Sequence, residues 1–257
     1  MEKVSVIIPM HNSEKFIERT IFSALKQTYR NLEIIVIDDN SNDSCVELVK
    51  KIADDRIFVY ENETNKGSAY CRNFGIEKAA GTYIAFLDSD DVWLVDKIEK
   101  QVLFMETENI DFSFTQYYDF GDEIKLISGP RVIGKFRMNF TNYLGTLTVM
   151  YNQKKLGKVS IPNNITKSTD YPLWRAIGRK SKAHILYEPL AIYYRRPGSL
   201  SKVSTFQKIK NVAYGYQELE KRNKLSSLIG GFVFALGIFL KKMVYRKRTD
   251  FRTNIFD

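Results

Sequence analysis

The sequence predicts an α/β protein built on a mostly parallel sheet, and three observations predict it. Short β-branched runs alternate with amphipathic stretches through the first 110 residues, the rhythm of strand–helix–strand units. The runs are apolar without interruption, as in strands covered on both faces. Acidic residues follow two of the runs directly, where open parallel sheets bind their ligands.

The elements follow in order. VSVIIP (residues 4–9) reads as a buried strand. In HNSEKFIERTIFSALKQT, Phe16, Ile17, Ile21, Ala24 and Leu25 recur at helical spacing, and Asn12 or Ser13 can cap the helix. LEIIVI (residues 32–37) is a second strand and ends in Asp38 and Asp39. A helix over 44–53 and a third strand over 57–60 come next. NKGSAYCRNFGIEKAAG reads as a loop and a helix closed by Gly81. A fourth strand over 83–87 runs into Asp88, Asp90 and Asp91, and a further helix covers 96–108. Beyond residue 110 the pattern changes to separate strands, among them 111–120 and 143–153. A short helix over 171–179 and an extended segment over 184–195 follow. A mixed, partly antiparallel second half is expected.

Composition narrows the function. The chain has 257 residues, with 44% hydrophobic side chains, enough for a full core. Two cysteines, Cys45 and Cys71, make no disulfide framework and fit a reducing compartment. The first residues lack the long apolar stretch of a signal peptide, so a cytoplasmic location is expected. The net charge of +9 points to an anionic partner. The first strand is followed by PMHNSE, so the GxGxxG dinucleotide fingerprint is missing, as is GxxxxGK[ST]. A nucleotide would then need its phosphates neutralised otherwise. An Asp-x-Asp turn holding Mg²⁺ or Mn²⁺ suits that task, because such ions combine one or two carboxylates with substrate phosphates.

VSVIIPMHNSEKFIERTIFSALKQTYRNLEIIVIDDNSND, NKGSAYCRNFGIEKAAGTYIAFLDSDD and STDYPLW resemble the family 2 glycosyltransferases of GT-A fold over about residues 3–200. An Asp-x-Asp alone is common; the ordered set of four motifs carries the resemblance. It implies an inverting transfer from a UDP-sugar donor to a hydroxyl of a glycan or lipid-linked acceptor, dependent on Mn²⁺ or Mg²⁺. Residues 1–110 would bind the nucleotide-sugar, 111–203 the acceptor, and 204–257 would form a basic helical tail.

Carried over residue by residue, the resemblance places Asp39 on the nucleotide base with Pro9 and His11 beside it. Asp38 and Asp39 read on their own could equally form a turn. Lys66, Gly67 and Arg72 would lie near the nucleotide; Arg72 could also be a surface ion pair. Asp88 would sit near the ribose and Asp90 on the metal, both in the Asp-x-Asp element, with Asp91 behind them. Trp93 reads as packing rather than a sugar platform. Asp170 matches the family's general base, although Thr169 stands where a Glu is usual; as a residue alone Asp170 reads as a helix cap. Arg195 or Arg196, in YYRRPGSLS, would touch the diphosphate. The QxxRW motif of processive synthases is missing, which implies single additions.

LSSLIGGFVFALGIFL (residues 225–240) is a run of 16 uncharged residues between basic clusters. It is short for a membrane span and fits a helix lying in the interface of an anionic membrane, or a re-entrant hairpin, with a buried core helix as the other reading. Two other functions suit parts of the chain. A metal-dependent nucleotidyltransferase would use the same aspartates but calls for a glycine- and lysine-rich opening loop. A basic nucleic-acid-binding module would interleave aromatic and basic residues on a sheet face, whereas the positive charge here gathers late in the chain, so no nucleic-acid partner is expected.

Overall fold

The computed structural model describes residues 1–162, 170–195 and 205–249. The first half is β1 (Val4–Met10), α1 (Ile17–Leu25), β2 (Leu32–Asp38), α2 (Cys45–Lys50), β3 (Ile57–Glu61), α3 (Ser68–Lys78), β4 (Tyr83–Phe86), β5 (Val92–Trp93) and α4 (Lys97–Thr107). The second half is β6 (Phe112–Phe120), β7 (Ile124–Ile127), β8 (Val132–Ile133), β9 (Met150–Asn152), α5 (Gln153–Leu156), α6 (Asp170–Gly178), β10 (Ala183–Tyr194), α7 (Thr205–Glu220), α8 (Lys224–Tyr245) and β11 (Arg246–Arg248).

One mixed sheet runs in the order β11-β7-β6-β9-β4-β1-β2-β3. Its β4-β1-β2-β3 part is parallel. Antiparallel β9 joins β4 to β6, and β10 lies parallel to β6. The continuous apolar runs are explained by two core layers. Val4, Val6 and Ile8 face α1, α2 and α4, with Ile21, Val49 and Val102. Ile7, Ile35 and Ile37 face α3 and α6, with Ile76, Leu173 and Trp174. This alternation follows from the two-residue period of a strand, and cover on both faces leaves no position for a polar side chain unless it is hydrogen-bonded.

Three features depart from the sequence expectations. Helix α1 starts at Ile17 with no side-chain cap. Asn12 instead takes a left-handed φ of 47°, and the Ser13 hydroxyl bonds Ser89 at 2.7 Å. The expected strand over 143–153 shrinks to β9, because residues 146–148 coil into a 3₁₀ turn closed by the Thr148 hydroxyl on the Gly145 carbonyl at 2.7 Å. The tail helix is longer than its apolar run: α8 spans 22 residues and carries Lys241 and Lys242. By length and composition alone it is long enough to cross a membrane.

Candidate active site

The strand order 3-2-1-4 switches between β1 and β4, the point where open sheets place their ligand crevice beyond the carboxyl ends. Pro9 helps to open it. The Ile7 carbonyl accepts the Leu87 N–H at 3.0 Å, and the next rung on that side would need an N–H at residue 9. Proline has none, so the ladder stops. Pro9 lies near the end of β1, and His11, Asp39 and the Asp88–Asp91 turn follow the ends of β1, β2 and β4 on the same side of the sheet. The topology gathers them as the sequence predicted.

The two acids after β2 divide their work. Asp38 forms a turn, accepting the Ser41 N–H at 3.0 Å and the Ser41 hydroxyl. Asp39 is buried and reaches across the crevice. Its Oδ1 accepts the Lys66 N–H at 2.8 Å and the Asn62 amide at 3.0 Å, while Oδ2 accepts the Gly67 N–H at 2.8 Å. Two backbone N–H groups at the start of α3 thus hold the carboxylate in place. Gly67 has a φ of +85°, which a side chain would strain, and this lets its N–H turn to Asp39. The Lys66 ammonium lies 4.5 Å over the Tyr70 ring, and exposed His11 meets the Asn65 amide at 3.4 Å.

Helix α3 explains the rest of the NxGxxxxRNxG pattern. Gly75 lies so close to β1 that a Cβ would sit 2.6 Å from Ile7 Cγ2. Asn73 holds residue 161 at both its N–H and its carbonyl. Arg72, buried at its root, points to the crevice, where Nη2 donates to Asp88 Oδ1 at 2.8 Å.

The turn after β4 holds three carboxylates in three environments. Asp88 is partly exposed and paired to Arg72. Asp90 is half-buried, and its carbonyl accepts from Arg19 at 2.9 Å. Asp91 is fully buried; one oxygen accepts the Tyr194 N–H at 3.2 Å. Burial, reinforced by the charges of Asp90 and Asp88, pushes the Asp91 carboxyl well above the usual range. Its bond to the Tyr194 N–H braces the turn against β10. The donor set fits a hard divalent ion at Asp88 and Asp90. No group of three or more His, Cys, Asp or Glu side chains suited to a metal occurs among the described residues. An ion held by two carboxylates would complete its shell with phosphate oxygens.

Asp170 opens α6 and faces the same cluster. Its Oδ2 accepts the Asn142 amide at 2.9 Å. Burial pushes its carboxyl up; the Arg72 charge pulls it down, and Asp88 pushes it up again. Arg72 therefore acts on both Asp88 and Asp170. Thr169, Arg196 and residues 197–201 lie outside the described residues. Arg195 gives Nε and Nη2 to Asp119, both at 2.6 Å, and Arg246 shares that carboxylate at 2.8 Å. Trp93 is buried, with its indole N–H on the Leu147 carbonyl at 2.7 Å, which makes it a packing residue. Asn142 and Lys241 are site residues that the sequence reading missed. Neither sits in a motif, and both reach Asp170's surroundings only through the tertiary fold.

The sheet, with an Asp-x-Asp turn beyond its fourth strand, has the GT-A fold. Among solved structures, S. aureus TarS 1–349 in complex with UDP-GlcNAc superimposes with a TM-score of 0.68 at 21% identity, over 88% of this chain and 69% of that one. Residues 5–164 match Glycosyl transferase family 2. The chain is 33% identical over 252 residues to an uncharacterized glycosyltransferase of Haemophilus influenzae, across 96% of this chain and 99% of that protein. It is 38% identical over 205 residues to Escherichia coli WfaP, a UDP-Glc:alpha-D-GlcNAc-diphosphoundecaprenol beta-1,3-glucosyltransferase, across 78% and 80%. The chain belongs to glycosyltransferase family 2.

Proposed function

We propose that this enzyme moves a sugar, with inversion, from a UDP-sugar to a hydroxyl of a glycan or lipid-linked acceptor, and that it adds one sugar per encounter. Arg72 is the observation that carries the reading. One buried guanidinium is bonded to Asp88 at 2.8 Å and faces Asp170, where it offsets part of the rise that burial imposes on that carboxyl. Donor and base sites would then share a cation. The names of relatives support the substrates: WfaP uses UDP-glucose and a diphosphoundecaprenol-linked acceptor.

The steps follow from the residues. Asp39 and His11 would frame the uracil, with Pro9 and Lys66 beside them. Asp88 would orient the ribose and, with Asp90, hold Mn²⁺ or Mg²⁺ against the diphosphate. The bound cation would supply charge neutralisation for the departing UDP. Asp170 takes the proton of the acceptor hydroxyl while its oxygen bonds to the anomeric carbon. The bond from that carbon to the β-phosphate oxygen breaks, and the electron pair leaves with UDP. Arg72 would offset this growing charge. Arg195 could join the diphosphate only by exchanging Asp119 for it. Residues 1–110 grip the donor in this reading, and 111–203 shape the acceptor side.

The tail would bring the enzyme to its acceptor. α8 presents Leu225, Ile229, Phe232, Leu236 and Phe239 outward, with Lys221, Arg222 and Lys224 at one end and Lys242, Arg246 and Lys247 at the other. We read this as peripheral seating on the inner face of an anionic membrane, the opposite helix face being packed on the protein.

Titration of UDP by calorimetry, with and without Mn²⁺, tests the donor site. Mn²⁺ should tighten UDP binding, and Asp90→Ala should abolish that increment while leaving the metal-free affinity near wild type. An Asp90→Ala protein that keeps the full Mn²⁺ effect would sink the metal assignment.

A further inference from the structure

Lys241 lies near the end of α8, in a tail whose sequence reads as basic and membrane-facing. Its side chain turns inward. Nζ donates to the Asn142 carbonyl at 2.7 Å, and the Asn142 amide donates to Asp170 Oδ2 at 2.9 Å. The remaining end of Asn142 is also held: its Oδ1 accepts the Leu144 N–H at 3.1 Å. Asn142 is thus pinned on both sides of the group that meets the carboxylate. A series of contacts seats α8 here. Gly237 lets the helix backbone rest on the 140–141 backbone; a Cβ there would overlap the Phe140 carbonyl oxygen. Phe234 lies 4.7 Å from the ring of Tyr171, the neighbour of Asp170, and Tyr245 lies 5.8 Å from Tyr143. A surface tail that only coats the protein needs none of these.

We propose that Lys241 is a positioning residue for the sugar transfer: through Asn142 it fixes the carboxylate of Asp170 for proton removal from the acceptor hydroxyl. This rests on Asp170 being the base. The same helix carries the apolar outer face, so one rigid element links the surface offered to lipid with the orientation of the base. The charges involved are few. Lys241 faces Asp170 of α6 and Arg246 beyond its own helix, and burial pushes its ammonium down to about 8. Asp170 faces Arg72 of α3 and Asp88 of the turn after β4. A cation removed from this set destabilises the ionised base.

The full-length enzyme tests the link through four variants. In Lys241→Met, kcat should fall roughly 10- to 100-fold, the scale of a misplaced catalytic group. KM for the UDP-sugar should stay unchanged, and the acid limb of kcat should move to higher pH. Lys241→Arg, which keeps a donor and a charge, should recover most of the rate and return the limb. Asn142→Ala should reproduce the kcat loss, and it reads the same link if Lys241→Met does not fold. Asp170→Asn separates the two ideas. If Asp170→Asn keeps the wild-type rate, the base itself is wrong. If it is inactive while Lys241→Met and Asn142→Ala keep wild-type kcat and acid limb, only the positioning role is overturned.

Discussion

Lys97 shows what a single residue costs this fold. Its side chain is fully buried, and among the described residues Nζ has no hydrogen-bond partner; it lies 4.0 Å over the Trp93 ring. Burial drives its ammonium well below the usual range, so the folded protein binds that proton more weakly than the unfolded chain does. A ring face offers a cation at most about 2 kcal/mol, little against the desolvation of a buried ammonium. Lys97→Met keeps the length and drops the polar group, and should raise stability by about 1 kcal/mol at neutral pH. The sign with pH is fixed: the unfolded chain binds the extra proton, so wild-type stability rises with pH, and the gain should fade as pH nears the ordinary lysine value of 10.5. Thermal melts at pH 7 and 10.5 check both statements. Lys97 was invisible in the sequence because a lysine at the start of a helix reads as solvated. Asp39 was legible for the opposite reason. An acid directly after an apolar strand has one place to go, the carboxyl edge, and its partners at residues 66 and 67 sit in a glycine loop that could be read too. Its exact bonds could not, since they join positions 27 and 28 apart.

At the scale of elements, close approach decides more than propensity. Gly237 sits in the interior of α8, where replacement by alanine would ordinarily gain about 1 kcal/mol of helix propensity. Here the added methyl meets the Phe140 backbone, which has no rotamer to yield. Overpacking of this kind costs roughly 1–3 kcal/mol, so the clash wins. Gly237→Ala should lower the melting temperature and, by lifting α8 from residues 140–142, reduce kcat as Lys241→Met does. The double variant should lose less than the sum, because both break one contact chain. Equal melting of Gly237→Ala and wild type would show that α8 does not rest there. The strands were legible at this scale because their apolar runs have one solution, a doubly covered sheet. The 3₁₀ turn at 146–148 was not: YLGTLTVMYN carries strand-like residues throughout, and the Thr148 hydroxyl that coils it competes locally for the backbone. Residues 225–240 were read correctly as apolar with basic ends, yet the inner face of the helix escaped. Lys241 bonds a carbonyl 99 positions away, and no local pattern distinguishes it from Lys242 beside it.

At the scale of the whole molecule, the outer face of α8 stands out against an otherwise well-covered core. Phe232, Leu236 and Phe239 are 62%, 60% and 61% exposed, and they follow one another at helical spacing. A face of that kind left in water marks an interaction site. The flanking lysines and arginines choose the partner, each being worth about 1 kcal/mol beside an anionic headgroup surface. Burial of the aromatic and leucine side chains would add to this without dependence on salt, while the charge contribution is screened within ~8 Å at physiological ionic strength. The two contributions can therefore be separated. The full-length enzyme should float with vesicles of phosphatidylglycerol and phosphatidylcholine, weakly with phosphatidylcholine alone. Raising salt should reduce binding without abolishing it. Phe232→Glu with Phe239→Glu should abolish it, and because both side chains point away from Asn142, soluble-acceptor turnover should survive. Undiminished flotation of that double variant would remove α8 from the membrane and leave the acceptor to be reached some other way. Loss of turnover together with flotation would instead tie the outer face to Asp170 more tightly than the packing of Gly237 and Lys241 implies.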